Sequence, residues 1–278
     1  MFMQQKVTDF MLIDFHTHAF PDKIAQSALA QLAARAKIQP VTDGSAAGLL
    51  ENMKLCGVDR SVVCNIATNV KQQTNVNTFA IQLHEEYGDR LTSLGSVHPD
   101  ADNIAAEIER IHAAGLPGIK LHPDYMQRFI DDPAYTPILD AAAELGMFVV
   151  IHAGFDAYSP NTIHATADGI LTVIRRHPKL KLICAHYGNN FLWDTVEARL
   201  AGQNIWIDTS MGCREALSPA QAKRILEKHD SDRILFGSDS PWCSPRENAE
   251  YLESLGLAPA LLDKIFYKNA LALLEGAV

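Results

Sequence analysis

Leu12-Ile13-Asp14-Phe15-His16-Thr17-His18 is a short apolar stretch ending in two histidines one residue apart. The same design recurs downstream. Gly118-Ile119-Lys120-Leu121-His122 ends in histidine, as do Met147-Phe148-Val149-Val150-Ile151-His152 and Leu180-Lys181-Leu182-Ile183-Cys184-Ala185-His186. Arg233-Ile234-Leu235-Phe236-Gly237-Ser238-Asp239 ends in aspartate. Strands buried on both faces of a parallel sheet read as such near-continuous apolar runs. Imidazole and carboxylate are the ligands that divalent ions such as zinc take. Ligands at the carboxyl ends of barrel strands lie where (β/α)8 enzymes build their sites. These stretches predict an α/β fold, a distorted (β/α)8 TIM barrel carrying a metal-dependent enzyme.

Working outward, helix-like and strand-like stretches alternate over residues 1–278, which predicts one domain. Residues 21–56 carry helical signals interrupted at 40–44. Strands follow at 61–66, 91–97 and 118–122, separated by helices at 75–87 and 101–114. Gly115 suits the left-handed position after the second of these helices. A helix starts near Pro133 and ends at Gly146, before a strand at 147–152. The second half continues with helices at 165–176 and 191–200, strands at 180–186 and 204–208, and a helix opened by Ser218-Pro219. A last strand at 233–236 and two helices complete the pattern. Eight strands favour a closed barrel over an open doubly wound sheet. No GxGxxG or GxxxxGK[ST] follows any strand, which weighs against dinucleotide and P-loop chemistry.

The formal charge of −9 is spread without long runs of either sign. Nucleic acid and anionic membrane are thereby disfavoured as main partners. The expected partner is a small-molecule substrate, and the sequence allows a homo-oligomer. Five cysteines, Cys56, Cys64, Cys184, Cys213 and Cys243, are scattered and form no CxxC pair, so buried reduced thiols are expected. The N-terminus lacks a signal-peptide pattern and no apolar run is long enough to span a bilayer, which points to the cytoplasm.

Side chains alternate across a strand, so Asp14, His16 and His18 are expected on one face. An HxH pair alone is a weak signal; repetition gives it weight. Six of eleven histidines, His16, His18, His98, His122, His152 and His186, fall at predicted strand ends. His98 and His122 each precede proline and fit a structural role equally well. Asp239 could cap a following helix, but its position after a fully apolar strand favours a functional one.

Together the segments 14–18, 118–123, 150–154, 185–188 and 236–241 resemble the amidohydrolase superfamily, in its amidohydrolase-related branch that includes aminocarboxymuconate-semialdehyde decarboxylases. The resemblance implies that His16, His18, His152 and Asp239 are the metal ligands. It gives Asp239 a second role as proton shuttle. It places His186 against the metal-bound water or the substrate. Lys120 is either a substrate-carboxylate anchor, a partner of a barrel acid such as Asp208, or a carboxylated bridge between two metals. We favour the anchor, with His122 beside it and one ion, Zn²⁺ or another divalent metal.

Such a ligand set leaves a position for an activated water. The function expected first is hydrolysis of an amide, ester or lactone in a small carboxylate-bearing molecule. The alternative is metal-dependent, non-oxidative decarboxylation of an unsaturated or aromatic acid. A third reading, from another class, is a barrel that binds metal without turnover. Loop 154–166 and residues 211–214 should border the site mouth, and Trp242 should line it as a substrate contact.

Overall fold

The computed structural model describes residues 11–212 and 217–276. Among these, eight short parallel strands follow one another: β1 (Ile13–Thr17), β2 (Arg60–Cys64), β3 (Leu91–Leu94), β4 (Gly118–Leu121), β5 (Phe148–Ile151), β6 (Lys181–Cys184), β7 (Trp206–Asp208) and β8 (Ile234–Leu235). The ladder runs β1-β2-β3 and β4-β5-β6-β7-β8. Two joints close it into a barrel. Gly95 bridges Ile119, with Lys120 donating to the Gly95 carbonyl at 2.8 Å. Thr17 bridges Ser240, with Phe15 donating to the Phe236 carbonyl at 2.8 Å. This is the expected distorted (β/α)8 barrel.

Helices cover the outside: α1 (Asp22–Ala36), α2 (Ala46–Cys56), α3 (Gln73–Tyr87), α4 (Ile104–Ala113), α5 (Pro123–Met126), α6 (Thr136–Glu144), α7 (Ala167–Arg176), α8 (Trp193–Thr195), α9 (Pro219–Lys228), α10 (Pro245–Ser254), α11 (Pro259–Asp263) and α12 (Asn269–Glu275). Ser218 caps α9 as read from the sequence, accepting from the Gln221 amide at 3.3 Å. Gly115 takes φ +82°. The helix read at 191–200 starts late, because Phe191 sits at φ +60° and cannot continue an α-helical turn. Its remainder, 196–200, is a π turn.

The strands bury both faces. Leu121, Val149, Ile151, Leu182 and Ile207 pack outward in the larger cluster with the helices. Ile13, Phe15, Val62, Cys64, Leu94, Phe148, Val150, Ile183 and Leu235 fill the barrel, joined by Ala270, Leu273 and Leu274 of α12. Lys181, the first residue of β6, donates to the Gly276 carbonyl at 3.1 Å, so the end of α12 lies at the amino-terminal mouth of the barrel. The opposite end is left for the site.

Phe148 anchors the inner core. Its ring lies 5.3 Å from that of Phe15, and a Cβ on Gly118 would come within 2.5 Å of it. Glycine at 118 therefore makes room for this ring. Phe148→Ala is expected to destabilise the fold by about 3–5 kcal/mol, read as a lower urea midpoint with an unchanged slope.

Strict alternation fails in β1. The register shifts between Asp14 and Thr17, so Ile13 and Phe15 enter the inner core while His16 also turns inward. Asp14 does not share their face; it bonds Ser238 instead, accepting from the amide at 2.9 Å and the hydroxyl at 2.5 Å. An extra residue on one strand reverses the parity of everything after it. Cys56, Cys64 and Cys184 are free and buried, Cys243 is buried too, and burial pushes the Cys64 thiol up to about 12. Cys213 lies outside the described residues. Among the described residues no helix is long and apolar enough to cross a membrane.

Candidate active site

His16, His18 and Asp239 meet where β1 joins the end of β8. Asp239 Oδ1 lies 3.0 Å from His18 Nε2 and 3.4 Å from His16 Nε2. The Asp239 amide donates to the His16 carbonyl at 2.8 Å, fixing the two chain segments together. Each imidazole is oriented from behind. His16 Nδ1 is 2.8 Å from Asp208 Oδ2, and His18 Nδ1 is 2.9 Å from the Cys64 carbonyl. Both Nδ1 atoms thus carry the proton, a tautomer assigned from their acceptors. Both Nε2 lone pairs face Asp239, the arrangement that an acceptor on the opposite ring nitrogen imposes on metal-binding histidines.

Electrostatics agree. Burial and the Lys120 ammonium push the His16 imidazole toward its neutral form, against the pull of Asp208 and Asp239. Burial alone would raise Asp239, but His16, His18 and His186 hold its carboxyl well below the usual range. Neutral imidazoles and an ionised carboxylate are the forms that bind a cation. Burial pushes Asp14, beneath the site, up to about 7, with the Ser238 hydrogen bonds holding it back.

A second row continues from this trio. The His186 ring stacks on His16 at 5.1 Å between centroids, and His186 Nε2 is 3.0 Å from His152 Nδ1. Ser210 has one hydroxyl proton, and it donates to Asp208. His186 Nδ1 therefore donates to Ser210, at 2.8 Å. His152 Nε2 donates to the Phe155 carbonyl at 3.2 Å. That leaves two lone pairs facing each other, His186 Nε2 and His152 Nδ1, with no proton between them. Such a pair needs a cation or an added proton. Together with the His16, His18 and Asp239 donors, all within 4.8 Å of one another, the residues fit a divalent ion.

His152 does not join that trio directly. It stands one imidazole away, and with His122 and Asp156 it forms a separate grouping. The His122 and His152 rings are parallel, 4.3 Å apart, and both Nε2 atoms lie 3.7 Å from Asp156 Oδ2. Tyr125 stacks on the far side of His122 at 3.8 Å. Loop 154–166, read from sequence as bordering the mouth, supplies Asp156 and the Phe155 carbonyl.

Lys120 enters the barrel centre as its parity required. It is fully buried, and its Nζ is 3.2 Å from His16 Nε2. It makes no ion pair with Asp208, which bonds His16, His186 and Ser210 instead. Trp242 is half-buried, and its amide donates to the Asp239 carbonyl at 2.8 Å. Met211 sits at φ +62° after β7; Arg214 lies outside the described residues. His98 is held locally, accepting from the Asp100 amide at 3.2 Å. Ser210 and Asp156 are functional candidates the sequence reading passed over, and Asp208, read there only as a possible partner of Lys120, holds His16 instead. Asp208 ends its strand, a signal available in advance; Asp156 had none. Asp239, His186 and Met211 all adopt left-handed backbone, a strain that concentrates at functional sites.

A closed barrel with buried imidazoles and carboxylates at its carboxyl-terminal end defines a class of barrel proteins rather than an activity. The amidohydrolase family pattern matches residues 13–276. The chain belongs to that family. No curated protein matches it in sequence. Among solved structures it is similar to a TIM-barrel protein of Bordetella bronchiseptica, with 19% identity, TM-score 0.78, and coverage of 96% of this chain and 99% of that one. It is also similar to a 2,6-dihydroxybenzoate decarboxylase from Rhizobium, with 17% identity, TM-score 0.70, and coverage of 95% and 98%. A third is a 5-carboxyvanillate decarboxylase from Novosphingobium aromaticivorans with bound manganese, at 15% identity, TM-score 0.72, and coverage of 96% and 97%.

Proposed function

We propose that this protein is a divalent-metal-dependent, non-oxidative decarboxylase of an unsaturated or aromatic carboxylic acid. The observation that carries the reading is Lys120. A fully buried ammonium with no carboxylate partner among the described residues is costly, and this one stands 3.2 Å from His16 Nε2. A substrate carboxylate bound there would lie against the metal donors, so the carboxylate is at the reacting centre. A hydrolase of a carboxylate-bearing substrate needs its anchor away from the scissile bond. The decarboxylases among the similar structures support the same choice over the hydrolysis expected first.

In this reading His16, His18 and Asp239 hold one ion, with His152 standing one imidazole away behind His186, and the manganese of the Novosphingobium structure makes manganese as well suited as zinc. When bound, the ion supplies Lewis acidity toward the substrate's oxygens. Lys120 and His122 hold the carboxylate by charge-assisted and neutral hydrogen bonds. His186, whose Nδ1 proton goes to Ser210, presents an Nε2 lone pair that accepts from a substrate hydroxyl. Asp239 takes up a proton and delivers it to the carbon that bears the carboxylate. The carbon–carbon bond then breaks, its electron pair remains on that carbon's framework, and CO2 departs.

The test is CO2 release from 2,6-dihydroxybenzoate and 5-carboxyvanillate by manganese- and zinc-reconstituted protein, beside hydrolysis of a lactone panel. Release of CO2 is expected. Lactone hydrolysis without CO2 release from any acid would return the chain to the hydrolytic reading. Lys120→Met is expected to lower kcat/KM about 10- to 100-fold, the worth of a hydrogen bond to a charged group, with metal content unchanged. A metal-to-protein ratio near two that falls in the mutant would assign Lys120 as a bridging group instead.

A further inference from the structure

One helix is extra to the barrel's alternation. α2 already carries the chain back to the amino-terminal end, where the Asp59 amide donates to the Leu12 carbonyl at 2.9 Å. α1 stays at the other end. The Phe20 amide donates to the Gly44 carbonyl at 2.8 Å, and the Val41 amide donates to the Pro241 carbonyl at 2.8 Å. The segment that includes α1 therefore leaves from β1 and returns beside the Asp239 turn. In the last turn of α1, the Arg35 guanidinium lies 4.5 Å from the Tyr158 ring centroid. Tyr158 belongs to loop 154–166, which follows β5, and β5 stands opposite β1 in a closed barrel of eight strands. The contact spans the mouth. A cavity of about 480 Å³ opens beside it, with Arg35, Gln127, Tyr158, Asn161 and Thr162 in its wall. We propose that Arg35 and Tyr158 form a distal substrate subsite for a second anionic group, so that the substrate is an elongated acid with a negative charge at each end.

The cavity has the chemistry for an anion. No residue of its wall is acidic, and Arg35 has no carboxylate partner among the described residues. Asp156, the acid on the same loop, is engaged elsewhere: Oδ1 accepts from the Tyr158 amide at 2.6 Å, and Oδ2 faces His122 and His152. An aromatic face under a guanidinium holds the cation in place. The guanidinium's N–H fork then remains for a carboxylate, which it matches in geometry. In a chain of formal charge −9, a cation at the mouth also offsets the repulsion that an anionic substrate meets.

The spacing sets the substrate's length. Tyr125 stacks on His122 at 3.8 Å, the Tyr158 ring stands edge-on to Tyr125 at 4.9 Å, and Arg35 lies beyond Tyr158. An acid of one ring, held at Lys120 and His122, ends at the level of Tyr125. Arg35 is one ring further out. Burial pushes the Tyr125 hydroxyl up; Asp156 and Asp239 add to this, and Arg35 opposes it. One side chain thus senses both the metal donors and the distal cation, which places the cavity over the site rather than away from it. The subsite rests on the proposed function for the anchoring of the first carboxylate.

The test is calorimetric binding to the metal-reconstituted full chain, with benzoate, biphenyl-4-carboxylate and biphenyl-4,4′-dicarboxylate as probes. Wild type should bind the diacid about 10-fold or more tighter than the biphenyl monoacid, the worth of a hydrogen bond to a charged group. Arg35→Met should erase that difference, and Arg35→Lys, which keeps the charge without the fork, should restore part of it. Arg35 is exposed, so its replacement leaves the core intact; metal content serves as the check on folding. Equal affinity of wild type for the two biphenyl acids would overturn the subsite, as would a diacid preference that survives Arg35→Met. Binding of benzoate with exclusion of both biphenyl acids would overturn it too, with the proposed function left standing. Binding of none of the three acids would overturn both.

Discussion

Asp239→Asn loses about 10²- to 10⁴-fold in kcat, the usual range for removal of a positioned acid–base group. The substitution keeps the size of the side chain and one oxygen facing His16 and His18, 3.4 and 3.0 Å away in the native protein. Some metal should therefore remain, with weaker affinity. Structure argues for a carboxylate in a proton-handling role. Burial would raise it, yet three surrounding histidines keep it ionised, so a proton it acquires during turnover is readily passed on. Its backbone is held in the left-handed region at φ +67°, which points the group at the site at a conformational cost. Activity of Asp239→Asn equal to wild type on any substrate the protein turns over would remove the shuttle role.

His16→Ala is expected to abolish turnover by a different route, through the metal. His16 is at the centre of the constellation: it contacts Asp208, Asp239, Lys120 and His186. Its removal deletes a donor and also leaves Asp208 without the imidazole that, with His186 and Ser210, holds that buried carboxylate well below the usual range. The metal-to-protein ratio after reconstitution should fall from near one to near zero, and kcat with it. Retention of a full metal equivalent in His16→Ala would show that the ion sits elsewhere, the His122, His152 and Asp156 grouping being the competing location. The two variants are diagnostic as a pair, since Asp239→Asn separates chemistry from metal and His16→Ala does not.

Much of the fold was legible because it depends on local signals. Apolar runs bounded by Gly and Pro marked each strand within a few residues. The strand ends read too long at 95–98, where the backbone leaves the ladder after Gly95 bonds across to β4. The histidines at the ends of β1, β4, β5 and β6 were readable because strand ends are where barrel ligands are placed.

The rest required distances. The register shift in β1 depends on pairing with β2, a partner more than forty residues away, and no period within β1 records it. Asp208 was visible as a strand-end acid, but its choice of His16 over Lys120 depends on which groups barrel closure brings together. Asp156 lies on a connecting segment whose side chains follow no period, so its approach to His122 and His152 appears only once loop 154–166 is folded over the barrel mouth. By itself the sequence determined the barrel and the strand that carries each candidate ligand, because these follow from hydrophobic period and local turn chemistry. Tertiary structure alone decided that His16, His18 and Asp239 share one point while His152 stands beyond His186, and that Lys120 is buried without a carboxylate partner among the described residues, because both are consequences of long-range closure and burial, which a linear pattern does not encode.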